Sequence, residues 1–259
     1  IYDRAALAKP RNPDMPHGAP SIAGHDWPEV RGYTDIPRKG PVPNKKMAEV
    51  RHGYYAATSY MDAQVGRVLE ELDRLGLAES TVISLYSDHG FHIGEHNLWG
   101  KLTNYDMGTR APLLFASPFQ KDKGAVIDEA VEFLDIYPTL ADLCGLKKPA
   151  SLEGESLAAV LDNRTAGVKN FAVSQFPRPV SYNFTKKAPV NMGYSIRDDR
   201  YRYTTWIELN SRKVVAEEFY DYSEDRTELR NRIDDQQHSA TLDGLRTLLK
   251  ERQAFWREN

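Results

Sequence analysis

The chain has 259 residues and a single cysteine, Cys144. One thiol excludes a disulfide framework and a cysteine-built metal site within the chain, and it leaves the redox compartment open. Cys144 sits in the apolar helix-like stretch Leu140-Ala141-Asp142-Leu143-Cys144-Gly145, where a small buried thiol is expected. No apolar run reaches the roughly eighteen residues that a membrane-spanning helix needs, so no membrane partner is expected. Neither sign of charge is in excess. Lys plus Arg number 34 against 37 acids, for a net charge of -3 and a pI near 6.2. A general polyanion-binding surface is therefore absent, no nucleic-acid partner is expected, and any anion recognition has to be local. The chain also lacks an initiating methionine: it opens at Ile1 and runs into Lys9-Pro10-Arg11-Asn12-Pro13-Asp14-Met15-Pro16, which reads as an internal loop with an expected upstream segment.

What is present is ordinary globular composition, 41% hydrophobic and 27% charged, with length for one large domain or a domain plus a small lobe. Residues 1–44 carry eight of the fifteen prolines and few periodic apolar positions, so they are expected to wrap irregularly over something else. From Lys45 to Leu75, Met47, Val50, Tyr54, Ala57, Met61, Val65, Val68, Leu72 and Leu75 keep steps of three or four, which predicts one face of a long helix ending at Gly76. Thr81 to Ser87 and Pro112 to Ala116 read as buried strands, and Val131 to Leu146 as a second helix. That order predicts an α/β fold with parallel strands. Beyond Pro149 the pattern changes to short strands at Phe171–Phe176, Gly193–Arg197 and Tyr201–Trp206, with a fourth at Val214–Tyr222 and a tight link at Asp198-Asp199. Leu242, Leu245, Leu248, Leu249 and Phe255 then follow helical spacing. The expected division is 1–150 for an α/β catalytic part and 151–259 for a small antiparallel sheet with a terminal helix.

The chemistry lies in Ser87-Asp88-His89-Gly90-Phe91-His92-Ile93-Gly94-Glu95-His96-Asn97-Leu98-Trp99-Gly100-Lys101, directly behind the first strand. A buried strand that empties into acid, imidazole and ammonium groups has the layout of an active-site edge in an open sheet. Adjacent residues of a strand face opposite sides, so Asp88 and His89 can share one site only where the strand ends and the chain turns, at Gly90. Aspartate suits a hard divalent cation and imidazole a transition metal, so the pair alone leans to the latter and leaves the ion open. The plain alternative is Asp88 as a helix cap and His89 as a buried ring. Lys101 is a flexible point charge suited to a sulfate or phosphate oxygen, or simply a solvated lysine. Glu95 and His96 are expected to anchor the loop. His17, His25, His52 and His238 fall outside this cluster.

These residues carry a resemblance. Ser87-Asp88-His89-Gly90, Gly94-Glu95-His96, Trp99 and Lys101, followed by Thr109-Arg110-Ala111-Pro112-Leu113-Leu114, resemble the C-terminal half of the catalytic domain of sulfatases of the alkaline-phosphatase superfamily. Ser59 to Arg67, Ser174 to Pro179, Met192 to Arg197 and Tyr201 to Thr204 place the chain nearest the iduronate-2-sulfatase group, and Glu218 to Asp221 with Glu228 to Asn231 resembles the segment with which many sulfatases finish. The resemblance implies an alkaline-phosphatase-like fold and a sulfuric ester hydrolase acting on sulfated saccharide, with the 2-O-sulfate of a uronic acid in a glycosaminoglycan-type glycan as the expected substrate. It implies Asp88 and His89 as two ligands of one calcium ion, Lys101 and His89 as catalytic positions, Lys101 on the sulfate, and Phe91 and His92 facing the sugar. A periplasmic, secreted or lysosomal location is implied in the same way.

One departure bears on mechanism. The Cys-x-Pro-Ser-Arg type motif, whose cysteine becomes the formylglycine nucleophile of sulfatases, is absent, and Cys144-Gly145-Leu146 does not match it. The acidic pair that completes the calcium site is absent too. One carboxylate and one imidazole are too few for the roughly 6–8 oxygens calcium takes, so the expected partner is the N-terminal half of the same enzyme and the chain alone is expected to be inactive. Without that half, sheet edge and apolar face are expected to be exposed. Two other readings stay open: a phosphomonoesterase or phosphodiesterase of the same superfamily, which usually needs more His and Asp ligands for two metals, and a non-catalytic binding module.

Overall fold

The computed structural model describes residues 1–258 apart from 8, 26, 28, 122, 163–166, 168 and 181–187, and gives only the backbone of 254–258. Phe255, expected on the closing helix, therefore lies with its side chain outside the described residues. Among the described residues, 1–43 form single 3-10 turns at Arg4–Ala6, Ser21–Ala23 and Val30–Gly32 and no longer element. Repeated prolines remove backbone donors and fix φ, so neither helix nor ladder propagates there.

Helix α1 spans Asn44–Arg74 and stops where Gly76 enters the left-handed region at φ 69°. Leu77 N donates to Leu72 O at 3.1 Å and Gly76 N to Asp73 O at 2.9 Å, so the orphan carbonyls of the last turn are satisfied by a Schellman motif. Met47 and Val50 pack on a cluster of Val30, Ile36, Val42 and Trp99. Further along, Met61 and Val68 of the same face are exposed.

Strand β1 (Ile83–Tyr86) pairs with the fourth strand of the chain, Leu113–Ala116, in register Ile83↔Ala116. The pairing is antiparallel, which corrects the parallel sheet expected from the element order. A parallel return needs a crossover of a dozen or more residues, usually a helix across the sheet. Residues 87–112 instead form two two-residue strands, β2 (His92–Ile93) and β3 (Trp99–Gly100), and a one-turn helix α2 (Asp106–Thr109). The chain therefore comes back along β4 (Leu113–Ala116) in the opposite sense. Leu85 and Tyr86 of β1 and Leu114 of β4 are exposed.

The second long helix is shorter than expected. A capping box between Glu132 and Asp135 starts a 3-10 turn at Phe133–Asp135, and α3 runs only Ile136–Leu143 before Gly145 adopts φ 65°. Cys144 is the C-cap residue and is exposed, which corrects the buried thiol read from its apolar neighbours: it falls on the terminus, off the buried stripe. A short helix α4 (Ala158–Asp162) follows. Strands β5 (Ala172–Arg178), β6 (Asn191–Arg197), β7 (Tyr201–Glu208) and β8 (Val214–Asp221) then form an antiparallel meander in chain order. At the β6–β7 hairpin Asp198 Oδ1 accepts from the N–H groups of Arg200 and Tyr201. Helix α5 (Ser239–Glu258) lays Leu242, Leu245 and Leu249 on Ile196, Tyr203 and Phe219.

The early and late parts of the chain share a core. Ala23, Leu98 and Tyr105 pack with Trp206 of β7 and Tyr220 of β8. Polar contacts follow the same path. The buried Glu228 carboxylate accepts from Arg202 Nε at 2.5 Å, from Tyr222 Oη at 2.8 Å and from the backbone N–H of Asp106 at 3.1 Å. Asn104 donates to Gly193 O at 3.1 Å and accepts from Ser174 Oγ at 3.2 Å. A Cβ at Gly193 would lie 2.7 Å from Asn104 Nδ2 and 2.6 Å from the Trp206 ring, so close approach explains that glycine. Because breaking a buried ion pair strands the partner charge, Glu228→Ala is expected to cost about 3–5 kcal/mol of stability. Urea unfolding of the variant against the parent protein measures this, and a cost below about 1 kcal/mol would place the pair with the weak surface bridges.

Candidate active site

The site begins where β1 runs out. Ser87 N donates to Pro112 O at 3.2 Å, a last link to the β4 side, and Ser87 Oγ donates to the carbonyl of His89 at 2.8 Å. Gly90 follows, with its N–H on Gly108 O at 3.0 Å. Its role is close approach rather than the conformational freedom expected from the sequence: a Cβ there would meet Met107 O at 2.1 Å and Arg110 O at 3.0 Å. Helix α2 is thereby clamped under the strand end. Gly108 does the same on its other side, where a Cβ would lie 2.7 Å from Thr103 Cγ2 and 2.9 Å from Lys101 O. One turn of helix sets the backbone of residues 88–90 against that of residues 101–103.

At the strand end the Asp88 carboxylate and the His89 ring do come together, with Oδ2 3.2 Å from Nε2. His89 Nδ1 lies 2.7 Å from Gly90 O, and since a carbonyl only accepts, Nδ1 carries the proton. In the neutral ring that leaves the Nε2 lone pair facing a carboxylate oxygen. Two electron-pair donors at that separation repel unless a cation or a proton lies between them, and the donor set suits a metal ion. The Asp88 side chain is 81% exposed and so is free to take one. Calcium ligation by these two residues therefore fits the donor chemistry, but as a minority of the oxygen-rich shell the ion needs.

Among the described residues, three or more His, Cys, Asp or Glu donor atoms converge at Asp221, Glu224 and His238 instead. There Arg200 takes both Asp221 oxygens and Arg232 pairs with Glu224. The hydrogen bond from Arg200 holds the Asp221 carboxyl well below the usual range. That group is a charge network whose acids already have partners.

Asp88 and His89 face an open cleft of about 1770 Å³, which Asp106, Arg110, Gln175 and Arg197 also line. Lys101 does not line it. Its ammonium pairs with Glu29 Oε1 at 2.8 Å. Phe91 is half-buried, stacked at 5.7 Å on Tyr54 and 6.3 Å from the His89 ring, and it packs against the Val30–Trp99 cluster. His92 requires a correction. It was expected on the loop facing the sugar, yet it is fully buried in β2, with its ring 5.6 Å from His96 and 6.3 Å from Tyr105. Pairing of His92 with Gly100 across β2–β3 turns the side chain inward. Burial pushes its pKa down to about 3, so it stays neutral and carries no charge to a substrate.

Glu95 and His96 anchor the loop as expected. Glu95 accepts from Arg51 of α1 at 2.8 Å and from Ile93 N at 2.9 Å, and His96 Nε2 lies 2.6 Å from Asn12 Nδ2 and 2.9 Å from Thr227 O. His17 and His52 are exposed or half-buried, while His238 is buried 5.2 Å from the Phe219 ring.

Sequence reasoning missed Asp106. Its buried carboxylate takes Arg197 Nε at 3.0 Å and Arg110 Nε at 3.1 Å, so it orients two guanidinium groups on the cleft wall. Burial, then the nearby Glu228, raises its pKa against the pull of those arginines. The only signal was its place in the Thr109-Arg110-Ala111-Pro112 neighbourhood, since partners far away in sequence leave no local pattern.

Fold and strand-end site together define an alkaline-phosphatase-like α/β protein. The family profile described as Sulfatase matches residues 16–146, and that described as N-sulphoglucosamine sulphohydrolase, C-terminal, matches residues 94–254. The chain belongs to the sulfatase family. It is 30% identical to iduronate 2-sulfatase of Mus musculus over 95% of this chain and 56% of that protein, and 31% identical to the Homo sapiens protein of the same name over 83% and 50%. A solved structure described as a 2-O GAG sulfatase superposes with a TM-score of 0.70 at 28% identity, covering 81% of this chain and 44% of that one. The chain thus spans about half the length of the curated relatives it matches.

Gly90→Ala is expected to part α2 from the strand end and to cost about 1–3 kcal/mol, the usual range for overpacking. Thermal unfolding checks it, and a variant as stable as the parent would show that the clamp at Met107 and Arg110 is loose.

Proposed function

We propose that the whole protein hydrolyses sulfate esters and that its substrate is the 2-O-sulfate of a uronic acid in a glycosaminoglycan-type glycan. The observation that carries the reading is the paired approach of Asp88 Oδ2 and His89 Nε2 at the strand end, with the other ring nitrogen committed to Gly90 O. The iduronate 2-sulfatase relatives and the 2-O GAG sulfatase neighbour support the choice of ester.

In this reading Asp88 and His89 hold one face of a calcium ion, which when bound supplies positive charge to the sulfate oxygens. The remaining ligands and the formylglycine nucleophile come from the N-terminal half of the enzyme, so this chain is inactive by itself. The exposed apolar residues of α1, β1 and β4 suit cover by that half. Lys101, which in this structure stands off the cleft wall on Glu29, would reach a sulfate oxygen and neutralise charge that grows on the bridging oxygen as the ester breaks, a contribution realised mainly in the transition state. His89 acts through its Nε2 lone pair, kept in place by Gly90 O on one side and by the Phe91 ring behind it. Gln175 and Arg197 on the cleft wall lie beside the sugar, and Phe91 meets it from behind the His89 ring. The same reading places the protein in the periplasm, in the lysosome or outside the cell. No described helix is long and apolar enough to cross a membrane.

The full-length protein is expected to release sulfate from a 2-O-sulfated uronate disaccharide faster than it releases phosphate from an aryl phosphate. Lys101→Ala is expected to lower kcat/KM by about a hundredfold or more with the fold intact by circular dichroism. Faster phosphate release would move the protein to the phosphoesterases, and unchanged turnover would leave Lys101 as the ion-pair partner of Glu29 and no more.

A further inference from the structure

We propose that Glu29 is the positioning residue for Lys101, holding the ammonium where an ester oxygen meets it. The inference rests on the reading of Lys101 as the sulfate contact. Glu29 lies in the proline-rich early segment, far from Lys101 in sequence, yet its Oε1 is 2.8 Å from Lys101 Nζ. A lysine on four rotatable bonds does not find one place by itself.

Both ends of this contact hang from one core. Val30, next to Glu29, and Trp99, two residues before Lys101, are buried in the same cluster with Ile36 and Val42. Buried Arg31 donates to Pro37 O at 2.9 Å and secures the turn that follows Glu29. Between Trp99 and Lys101 stands Gly100 at φ 155°, and a Cβ there would lie 2.6 Å from Glu29 Oε2 and 3.3 Å from its Cβ. The backbone is thus bare where the carboxylate passes, as close approach demands. Glu29 Oε2 is buried and has no hydrogen-bond partner among the described residues, which leaves Lys101 as the partner of this carboxylate.

The charge of Glu29 points to positioning rather than to binding. A carboxylate beside the ammonium weakens its pull on an anionic ester, so Glu29 does not favour ground-state capture. What it supplies is direction. An ammonium has three donors, and an ion pair with Glu29 on one side narrows the directions in which the free ones can point. Removing such a constraint lowers kcat and leaves KM unchanged or smaller.

The test uses the full-length enzyme and a double-mutant cycle on sulfate ester hydrolysis. Glu29→Ala is expected to lower kcat about tenfold or more without raising KM. Glu29→Gln, which keeps an acceptor in the same place and tests the charge should the alanine variant misfold, is expected to fall between Glu29→Ala and the parent. In the Lys101→Ala background, Glu29→Ala is expected to cost nothing further, because it acts only through Lys101. A kcat within twofold of the parent for both Glu29 variants, or a loss that multiplies that of Lys101→Ala, would overturn the proposal. If Lys101→Ala alone leaves turnover intact, the sulfate reading of Lys101 fails and Glu29 has nothing to position. That arm separates the two failures.

Discussion

The strand-end site depends on one buried carboxylate that is not in it. Glu228 binds Arg202 of β7, Tyr222 just past β8, and the first backbone N–H of α2, so it ties the four-stranded meander to the one-turn helix beneath Asp88 and His89. Arg202 is enclosed by the Tyr105 and Tyr220 rings at 4.9 and 4.6 Å, and its charge has no access to water. A buried charge of this kind is tolerated only with a well-placed partner, which makes the geometry of the junction strict. The strictness passes outward. Asp106, fixed by Glu228, aims Arg110 and Arg197, while the backbone of α2 presses on Gly90 on one side and on Lys101 on the other.

Local pattern was enough for much of the architecture. The three-and-four spacing of α1 and the glycine at its end needed no long-range information, and the alternating β-branched and aromatic residues of β5 to β8 announced a meander with a tight link at Asp198-Asp199. Asp88 and His89 were legible because an acid and an imidazole side by side make sense only at a strand end. The sense of the β1–β4 pairing was not legible, since it depends on whether the intervening residues build a crossover helix, and they build a hairpin of two-residue strands instead. That same hairpin buries His92, which the resemblance implies on the loop facing the sugar. Glu29, Arg51 and Asp106 escaped notice, and Glu228 stood out only as part of a closing motif, for a shared reason: each acts on a residue distant in the chain, and an isolated charged residue looks like surface until its partner is known.

The early proline-rich segment also changes meaning. Read from composition it is irregular wrapping. In the fold it delivers Asn12 to His96, Ala23 to the core under Trp206, and Glu29 to Lys101. Irregular backbone can place side chains as firmly as a helix when its few apolar residues are buried, and Val30, Ile36 and Val42 are.

Asp88 and His89 are proposed to face each other across the position of a cation. A crystal structure of the full-length protein grown with calcium tests it directly. One ion is expected about 2.3–2.6 Å from an Asp88 oxygen, with His89 Nε2 turned to the same centre and other ligands supplied from outside residues 1–259. A structure in which Asp88 and His89 bond only to each other, with the ion bound elsewhere, would contradict it.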